Sequence, residues 1–221
     1  MIEIVATRLD VGPEAIAASH ALLSDAEQRR ARRVASARVR GRFIVARARL
    51  RQLLGARLGV RPAAVELTTA PNGKPALRGD ATLRFNLAHC DDVAAYAFGN
   101  DREIGIDIEA VRAIGDADQL AGRFFSDAEQ AAYRALPPAQ RPLGFFNCWT
   151  RKEAFIKAQG DGLGYPLDRF DVSLAPGEAA RLLRVGDEAG DACGWRLMSF
   201  APAPGFVGAV VTQDREGTHG R

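Results

Sequence analysis

Short stretches in which apolar residues alternate with polar or small ones recur along the chain, and this period of two predicts β-strands with a buried face. The first half contains AVELTTA, TLRFNLAH and VAAYAFG, and the second half contains RFDVSLA, GWRLMSFA and FVGAVVT. A longer stretch without proline precedes each group and predicts an amphipathic helix: RGRFIVARARLRQLLG in the first half and GFFNCWTRKEAFIKAQG in the second. The predicted elements therefore occur in the same order twice.

A five-residue repeat supports this duplication. The sequence SDAEQ occupies positions 24–28 and recurs 102 residues later, at 126–130. In each copy a serine is followed three residues later by a glutamate, which is the capping-box pattern of a helix start. We predict an α+β fold of two similar halves, residues 1–103 and 104–221, related by pseudo-twofold symmetry, with a mobile polar tail from residue 213. A site formed by both halves would lie in the cleft between them.

The stretch DREIGIDIEAV, residues 101–111, predicts a strand whose two faces differ in character. Three isoleucines alternate along one face, so Asp107 and Glu109 emerge side by side on the other, roughly 7 Å apart. We expect Gly105 to leave open space beside these two carboxylates. A solvated edge strand with an acidic outer face is the alternative interpretation of the same pattern.

A further carboxylate lies in WTRKEAFIKAQG, residues 149–160, which is predicted to be helical because it lacks proline and internal glycine. Glu153 and Lys157 are i,i+4 neighbours there, and a surface ion pair is the ordinary interpretation of that spacing. If Glu153 instead faces Asp107 and Glu109, three carboxylates converge and require a cation between them. Oxygen ligands without histidine or cysteine favour Mg²⁺ or Mn²⁺ over zinc.

The composition is that of an ordinary soluble globular protein, with 47% hydrophobic and 26% charged residues among 221. The chain opens without a basic segment followed by a long apolar run, and it contains no stretch of about 18 apolar residues. We therefore expect a cytoplasmic protein. Its three cysteines are widely spaced, which predicts thiols in a reducing compartment and neither a disulfide framework nor a zinc site.

Charge is distributed unevenly, although the formal net charge is only +3. Twelve arginines and no acidic residue fall between Gln28 and Val65. This basic region predicts an anionic partner, which could be a phosphate-bearing ligand, a nucleic acid or an acidic protein; a solvated arginine-rich helix face is the structural alternative. The chain has 27 arginines but only three lysines, so a lysine is expected to mark a place that needs a compact ammonium group.

Two local features of the first half are candidates for ligand contacts. The sequence APNGKPAL predicts a restricted turn at residues 72–75, which by itself could be a hairpin turn and nothing more. FNLAHC, residues 85–90, ends a predicted strand with His89, and a lone histidine often serves only packing or hydrogen bonding.

Taken together, GIDIE at 105–109, WTRKEAFIK at 149–157, NGKP at 72–75 and FNLAH at 85–89 resemble the 4'-phosphopantetheinyl transferase superfamily, in the family's order. The resemblance spans most of the chain and is greatest to the long, surfactin-type members, which are pseudodimers within one chain. It implies transfer of the phosphopantetheine arm of coenzyme A to a serine of an acyl or peptidyl carrier domain, with release of adenosine 3',5'-bisphosphate.

The resemblance also implies roles for individual residues in the second half. Asp107, Glu109 and Glu153 would hold Mg²⁺, or Mn²⁺ as a substitute, on the coenzyme A pyrophosphate. Lys157 would contact the pyrophosphate and offset charge in the transition state. Glu153, or a water on the metal beside it, would accept the serine proton.

In the first half, the resemblance implies contacts with coenzyme A as a co-substrate. The implied contact residues are Arg30, Arg42, Gly73, Lys74, Pro75 and His89. The turn would line the adenine pocket, His89 would touch the phosphates, and the two arginines would bind the 3'-phosphate. Two departures from the family's pattern put individual phosphate contacts in doubt. Ala88-His89-Cys90 stands where Ser-His-Ser is frequent, and Glu27 lies where a cation is expected.

On family grounds, the partners would be acidic carrier domains of polyketide, nonribosomal peptide or fatty acid synthases, and the chain would act as a monomer with no membrane and no nucleic acid. Three alternatives stay open: a metal-dependent phosphodiesterase or nuclease, a basic nucleic-acid-binding module, and an inactive relative. The nuclease has no further motif in its support. The nucleic-acid module lacks an aromatic platform for bases beyond Phe43.

Overall fold

The computed structural model describes residues 1–70, 73–79, 82–160, 165–186 and 191–214. Within these ranges, no helix combines the length and the apolar character that a membrane span requires. The first half consists of strand β1, helices α1 to α3 and strands β2 to β5. Their bounds are β1 Glu3–Arg8, α1 Pro13–His20, α2 Asp25–Arg32, α3 Ala37–Leu58, β2 Leu67–Thr69, β3 Pro75–Leu77, β4 Leu83–Cys90 and β5 Val93–Asn100.

The second half repeats this order of one strand, three helices and four strands. Its elements are β6 Ile104–Ala110, α4 Ala117–Phe124, α5 Asp127–Ala135, α6 Arg141–Gln159, β7 Phe170–Val172, β8 Leu182–Val185, β9 Trp195–Phe200 and β10 Phe206–Gln213. The predicted α+β fold with duplicated elements is confirmed. β10 includes Gln213, which pairs with Trp195, so the strand extends into the segment predicted as a mobile tail. The rest of that segment, from residue 215, lies outside the described residues.

Each half contains an antiparallel three-stranded sheet whose central strand is the last strand of that half. The orders are β1-β5-β4 and β6-β10-β9, and each half adds a short two-stranded ribbon, β2-β3 or β7-β8. The central strands are apolar along most of their length and polar only at their ends, which suits a strand covered on both faces. In the order β6-β10-β9, β6 is an outer strand. One of its two sides pairs with β10, and no strand of that sheet pairs with the other side.

Among the described residues, three of the four clusters of buried apolar residues hold the sheets and the long helices together. Helix α3 packs on the first sheet around Leu50, Leu54 and Tyr96, and helix α6 packs on the second sheet around Phe155. The third cluster lies between the two sheets. Its buried members are Ala88, Val93, Ala95, Ala97, Ile104, Ile106, Ile108 and Val210. The isoleucine face of β6 is therefore buried against the first half, and the two halves share a core.

Both copies of SDAEQ form the predicted capping box, and each glutamate also makes a buried ion pair. Glu27 is bonded at 2.6 Å to Arg51 of α3, and Glu129 lies 2.7 Å from Lys152 of α6. Each cation donates two further bonds to backbone carbonyls of the segment after its helix. The repeat thus ties a short helix, a long helix and the following segment together in each half. The carboxylate of Glu27, which departs from the family's pattern, is engaged in this tie.

Candidate active site

The strand that carries Asp107 and Glu109 is pressed against helix α6. A Cβ atom on Gly105 would overlap the carbonyl oxygen of Ala154 and the amide nitrogen of Ala158. The expectation that Gly105 leaves open space is therefore wrong, because the backbone of α6 fills that space. The solvated edge strand is also excluded, since Asp107 is only 7% exposed and the opposite face is buried in the shared core.

We expect Gly105→Ala to weaken both the fold and the site. The added methyl group meets helix backbone, which cannot rotate aside, so β6 and α6 must separate. Overpacking of this kind costs about 1–3 kcal/mol of unfolding free energy. If β6 and α6 move apart, the carboxylates on the strand move away from the carboxylate on the helix. Misplacement of catalytic groups by about 1 Å reduces turnover roughly a hundredfold. Urea unfolding measures the first effect, and the rate of the transfer reaction that the sequence resemblance implies measures the second.

Gly122→Ala is the matched control, because an added Cβ there meets no atom within 4 Å and the residue lies within α4. Alanine is favoured over glycine in a helix by about 1 kcal/mol, so this variant should be as stable as the parent or more stable. A Gly105→Ala protein with the parent's stability and rate would contradict the close packing of β6 on α6.

The carboxylate of Asp107 is bonded to Lys157, whose Nζ lies 2.6 Å from Oδ1. Lys157 therefore reaches across to β6, and the pair differs from the surface pair with Glu153 that the i,i+4 spacing suggests. Burial raises the pKa of Asp107 to about 7; the charge of Lys157 opposes this, and the negative charges of Glu153 and Glu109 add to it. The other oxygen of Asp107, Oδ2, is buried and has no hydrogen-bond partner among the described residues.

Glu153 and Glu109 lie close enough to Asp107 for their negative charges to raise its pKa. Burial raises the pKa of Glu153, Lys157 opposes this rise, and the negative charge of Glu109 adds to it. Glu109 accepts a hydrogen bond of 3.1 Å from the Cys90 thiol, whose pKa is raised to about 11, mainly by burial. The thiol is therefore protonated at neutral pH and can donate. The structure brings the three predicted carboxylates into one charge cluster with Lys157.

The donor chemistry of this cluster suits a hard divalent cation. It offers carboxylate oxygens, and the unpartnered Oδ2 of Asp107 can accept a further ligand. Among the described residues, however, no three histidine, cysteine, aspartate or glutamate side chains form a ready-made metal site. Lys157 supplies positive charge to the cluster in this structure.

A cavity of about 540 Å³ lies on the first half. Five of the predicted coenzyme A contacts line it: Arg30, Arg42, Gly73, Pro75 and His89. They come from α2, α3, the turn before β3, the first residue of β3 and the end of β4. Burial lowers the pKa of His89, and the positive charges of Lys157, Arg30 and Arg47 lower it further. His89 therefore links the cavity electrostatically to the carboxylate cluster. Asn72 of the same turn lies outside the described residues.

The arginines around the cavity differ in how freely they could meet a phosphate. Asp10 holds Arg42 by two bonds of 2.6 and 2.8 Å, so an anion would have to compete with a carboxylate there. Arg30 lies over the ring of Phe43, at 5.4 Å from its centre, and Arg47 approaches the same ring at 6.0 Å. Arg47 also lies 3.6 Å from Glu27, a longer contact than the two bonds that hold Arg42. Sequence reasoning missed Arg47, although its i,i+4 spacing from Phe43 on one helix would have placed the two together.

Lys74 is placed differently from its neighbours in the turn. Gly73 and Pro75 line the cavity, whereas the ammonium group of Lys74 is bonded to the backbone carbonyls of Ile104 and Lys157. Each of these bonds is 2.9 Å long. The side chain that was expected to contact coenzyme A thus connects the turn to β6 and α6.

Comparison with known proteins relates this geometry to a family. A family model described as the 4'-phosphopantetheinyl transferase superfamily matches residues 103–201. The 4'-phosphopantetheinyl transferase HetI of Nostoc sp. is 38% identical over 194 residues, which cover 86% of this chain and 78% of that protein. Psf-1 of Bacillus pumilus is 37% identical over 145 residues, or 66% of this chain and 59% of that protein. Sfp of Bacillus subtilis is 36% identical over 110 residues, or 50% and 48%. The chain belongs to the 4'-phosphopantetheinyl transferase superfamily.

Proposed function

We propose that this transferase moves the 4'-phosphopantetheine arm of coenzyme A to a serine of an acyl or peptidyl carrier domain. The observation that carries the proposal is the half-buried cluster of Asp107, Glu109, Glu153 and Lys157, together with an arginine-lined cavity whose His89 is within the electrostatic reach of Lys157. A phosphate-transfer site needs both parts, because one holds the nucleotide and the other stabilises charge at the reacting phosphate. The family relationship favours this activity over a nuclease or a nucleic-acid-binding module.

Asp107, Glu109 and Glu153 would hold Mg²⁺, or Mn²⁺ as a substitute. The unpartnered Oδ2 of Asp107 and the oxygen-only donor set support this assignment. When bound, the metal would neutralise charge on the pyrophosphate and on the leaving group. Lys157 would add a positive charge on the same side, since its ammonium already lies among the carboxylates.

Coenzyme A would bind with its nucleotide in the cavity of about 540 Å³, which is within the size range of small-molecule sites. Gly73 and Pro75 would contact the adenine, and Arg30 would bind the 3'-phosphate together with Arg47. Arg42 is the weaker candidate because Asp10 already occupies its guanidinium. His89, which lines the cavity with Arg30 and Arg47, would donate to the phosphates.

In the reaction, the serine oxygen would form a bond to the β-phosphorus while the bond from that phosphorus to the bridging oxygen breaks. Adenosine 3',5'-bisphosphate would leave with the bridging oxygen. Glu153, or a water beside it, would take the serine proton. The carrier would be an acidic domain of a polyketide, nonribosomal peptide or fatty acid synthase, steered by the positive charge of the first half. The protein would act in the cytoplasm as a monomer.

Intact-mass spectrometry of an apo carrier domain tests the function. The carrier is incubated with this protein, coenzyme A and Mg²⁺, beside a sample that contains a chelator. We expect a mass gain of one phosphopantetheine arm on the serine, and we expect chelation to abolish it. No gain with several unrelated carriers would contradict the proposed function, and a gain that persists after chelation would contradict the metal requirement.

A further inference from the structure

The side chain of Lys74 crosses from the first half of the protein to the two elements that carry the catalytic cluster. Its Nζ donates bonds of 2.9 Å to the carbonyl of Ile104, the first residue of β6, and to the carbonyl of Lys157, near the end of α6. Glu103 lies 3.7 Å from the same ammonium. One partly buried cation thus contacts both the strand of Asp107 and the helix of Glu153.

On α6, the ammonium of Lys74 acts as a C-terminal cap. The last four carbonyls of a helix have no partner within the helix, and a cation at this end is also favoured by the helix dipole. Gly160 adopts the left-handed conformation and its amide bonds to the carbonyl of Ile156. The next carbonyl, that of Lys157, accepts from Lys74. The last turn of α6, on which Lys157 lies, is therefore completed by a side chain of the other half.

On β6, the same ammonium bonds to a backbone group on the side of the strand that no other strand of its sheet covers. Three side chains of the first half bond to backbone groups of three residues along this edge. These are Lys74 at the Ile104 carbonyl, Asn86 at the Ile106 amide at 2.8 Å, and Cys90 at the Ala110 amide at 3.4 Å. They replace the bonds that a neighbouring strand would make. Lys74 joins this edge and the end of α6 at a single atom.

The direction of the side chain separates Lys74 from the nucleotide cavity. Gly73 and Pro75 line that cavity, whereas Lys74 lines a neighbouring groove of about 300 Å³ together with Glu103 and Gln159. The turn therefore has two sides, one toward the cavity and one toward the catalytic elements. A group bonded to two backbone carbonyls is poorly placed to bind a ligand phosphate as well.

We propose that Lys74 is a positioning residue for the transfer reaction and that its ammonium group makes no direct contact with coenzyme A. It holds the end of α6 against the start of β6, which keeps Lys157 and Glu153 in register with Asp107. It also connects the nucleotide-lining turn to this pair of elements. The inference rests on the proposed function and goes beyond it, because it assigns the lysine of the turn to the alignment of the catalytic groups.

The test compares Lys74→Met and Lys74→Arg with the unmodified protein. Methionine has a similar length and removes both bonds, whereas arginine keeps the charge but places it on a wider group. For each protein we would measure the dissociation constant of coenzyme A by calorimetry, and kcat and KM for carrier loading. We expect kcat to fall about tenfold to a hundredfold in Lys74→Met, because small misplacement of catalytic groups has effects of this size. The kcat of Lys74→Arg should lie between those of Lys74→Met and the unmodified protein. The dissociation constant of coenzyme A should change less than about twofold in both variants.

Arg84→Met is the matched control. Arg84 lines the same groove and lies 3.9 Å from Glu103, so the variant removes a neighbouring cation without touching the two carbonyls. Arg84→Met should retain the parent's dissociation constant for coenzyme A and its kcat and KM for carrier loading. A second readout is rescue: Lys74→Cys treated with bromoethylamine restores an ammonium at nearly the original length, and kcat should recover.

The outcomes distinguish this inference from the proposed function. A coenzyme A dissociation constant raised tenfold with kcat retained would show that Lys74 binds the ligand, and it would overturn the positioning role. Unchanged constants in Lys74→Met would overturn it too, as would an alkylated Lys74→Cys protein that binds coenzyme A but does not recover. Failure of the unmodified protein to load any carrier would contradict the proposed function itself.

Discussion

Replacing Glu153 with glutamine is expected to lower the rate of carrier loading about a thousandfold, since the change removes both a candidate metal ligand and the candidate base. The amide keeps the size of the side chain, so packing of α6 is preserved. Glu153 lies among the charges of Asp107 and Glu109, and its own pKa is raised by burial. Removing its charge relieves repulsion, so the thermal midpoint should be equal to the parent's or higher.

Single-turnover loading, followed by intact mass, measures this effect without interference from product release. Glu178→Gln is the control, because Glu178 lies on the surface of the second half and pairs with Arg181 three residues away. It should load carriers at the parent's rate. If the loading rate of Glu153→Gln is within tenfold of the parent's rate, Glu153 is neither an essential metal ligand nor the base. Marked unfolding of both Glu153→Gln and Asp107→Asn would instead indicate a structural role for the acidic cluster.

Features that depend on local sequence were predicted well. The two capping boxes form as the serine and glutamate spacing indicates, because a capping box involves four residues of one segment. The alternation in β6 also correctly separated an apolar face from a face with carboxylates. The scarcity of lysine was informative as well, since each of the three ammonium groups is bonded to a carboxylate or to backbone carbonyls.

Features that depend on which elements meet were not predictable from one sequence. Gly105 was expected to leave space, yet only packing decides that the backbone of α6 occupies it. Lys74 stands between two residues that line the cavity, yet its ammonium is bonded to β6 and α6, and local sequence does not show which way a side chain in a turn points. Arg42 is held by Asp10, which is 32 residues away and gave no local signal. In each case the partner is distant in the sequence.

Replacing Lys152 with methionine is expected to lower the free energy of unfolding by about 3–5 kcal/mol, the usual cost of breaking a buried ion pair from one side. Lys152 is fully buried, 2.7 Å from Glu129, and donates bonds of 2.6 Å to the carbonyls of Leu167 and Phe170. Methionine fills the space but leaves the carboxylate and both carbonyls without this donor. Chemical denaturation at neutral pH measures the loss.

The loss should depend on pH in a defined direction. Burial already raises the pKa of Glu129 above its usual value, and the charge of Lys152 opposes that rise. Without Lys152 the folded protein holds the Glu129 proton to higher pH than the unfolded chain does. The stability of Lys152→Met should therefore fall as pH rises from 5 to 8, and Glu129→Gln added to it should restore part of the loss and remove this dependence.

Arg51→Met, at the corresponding position of the first half, provides the comparison. Its partner Glu27 also has Arg47 at 3.6 Å, whereas Lys152 is the cation paired with Glu129 among the described residues. The remaining arginine should compensate part of the charge of Glu27, so Arg51→Met should cost less than Lys152→Met. Equal losses in the two variants would mean that the lost backbone bonds, which both cations make in pairs, dominate over the charge left behind.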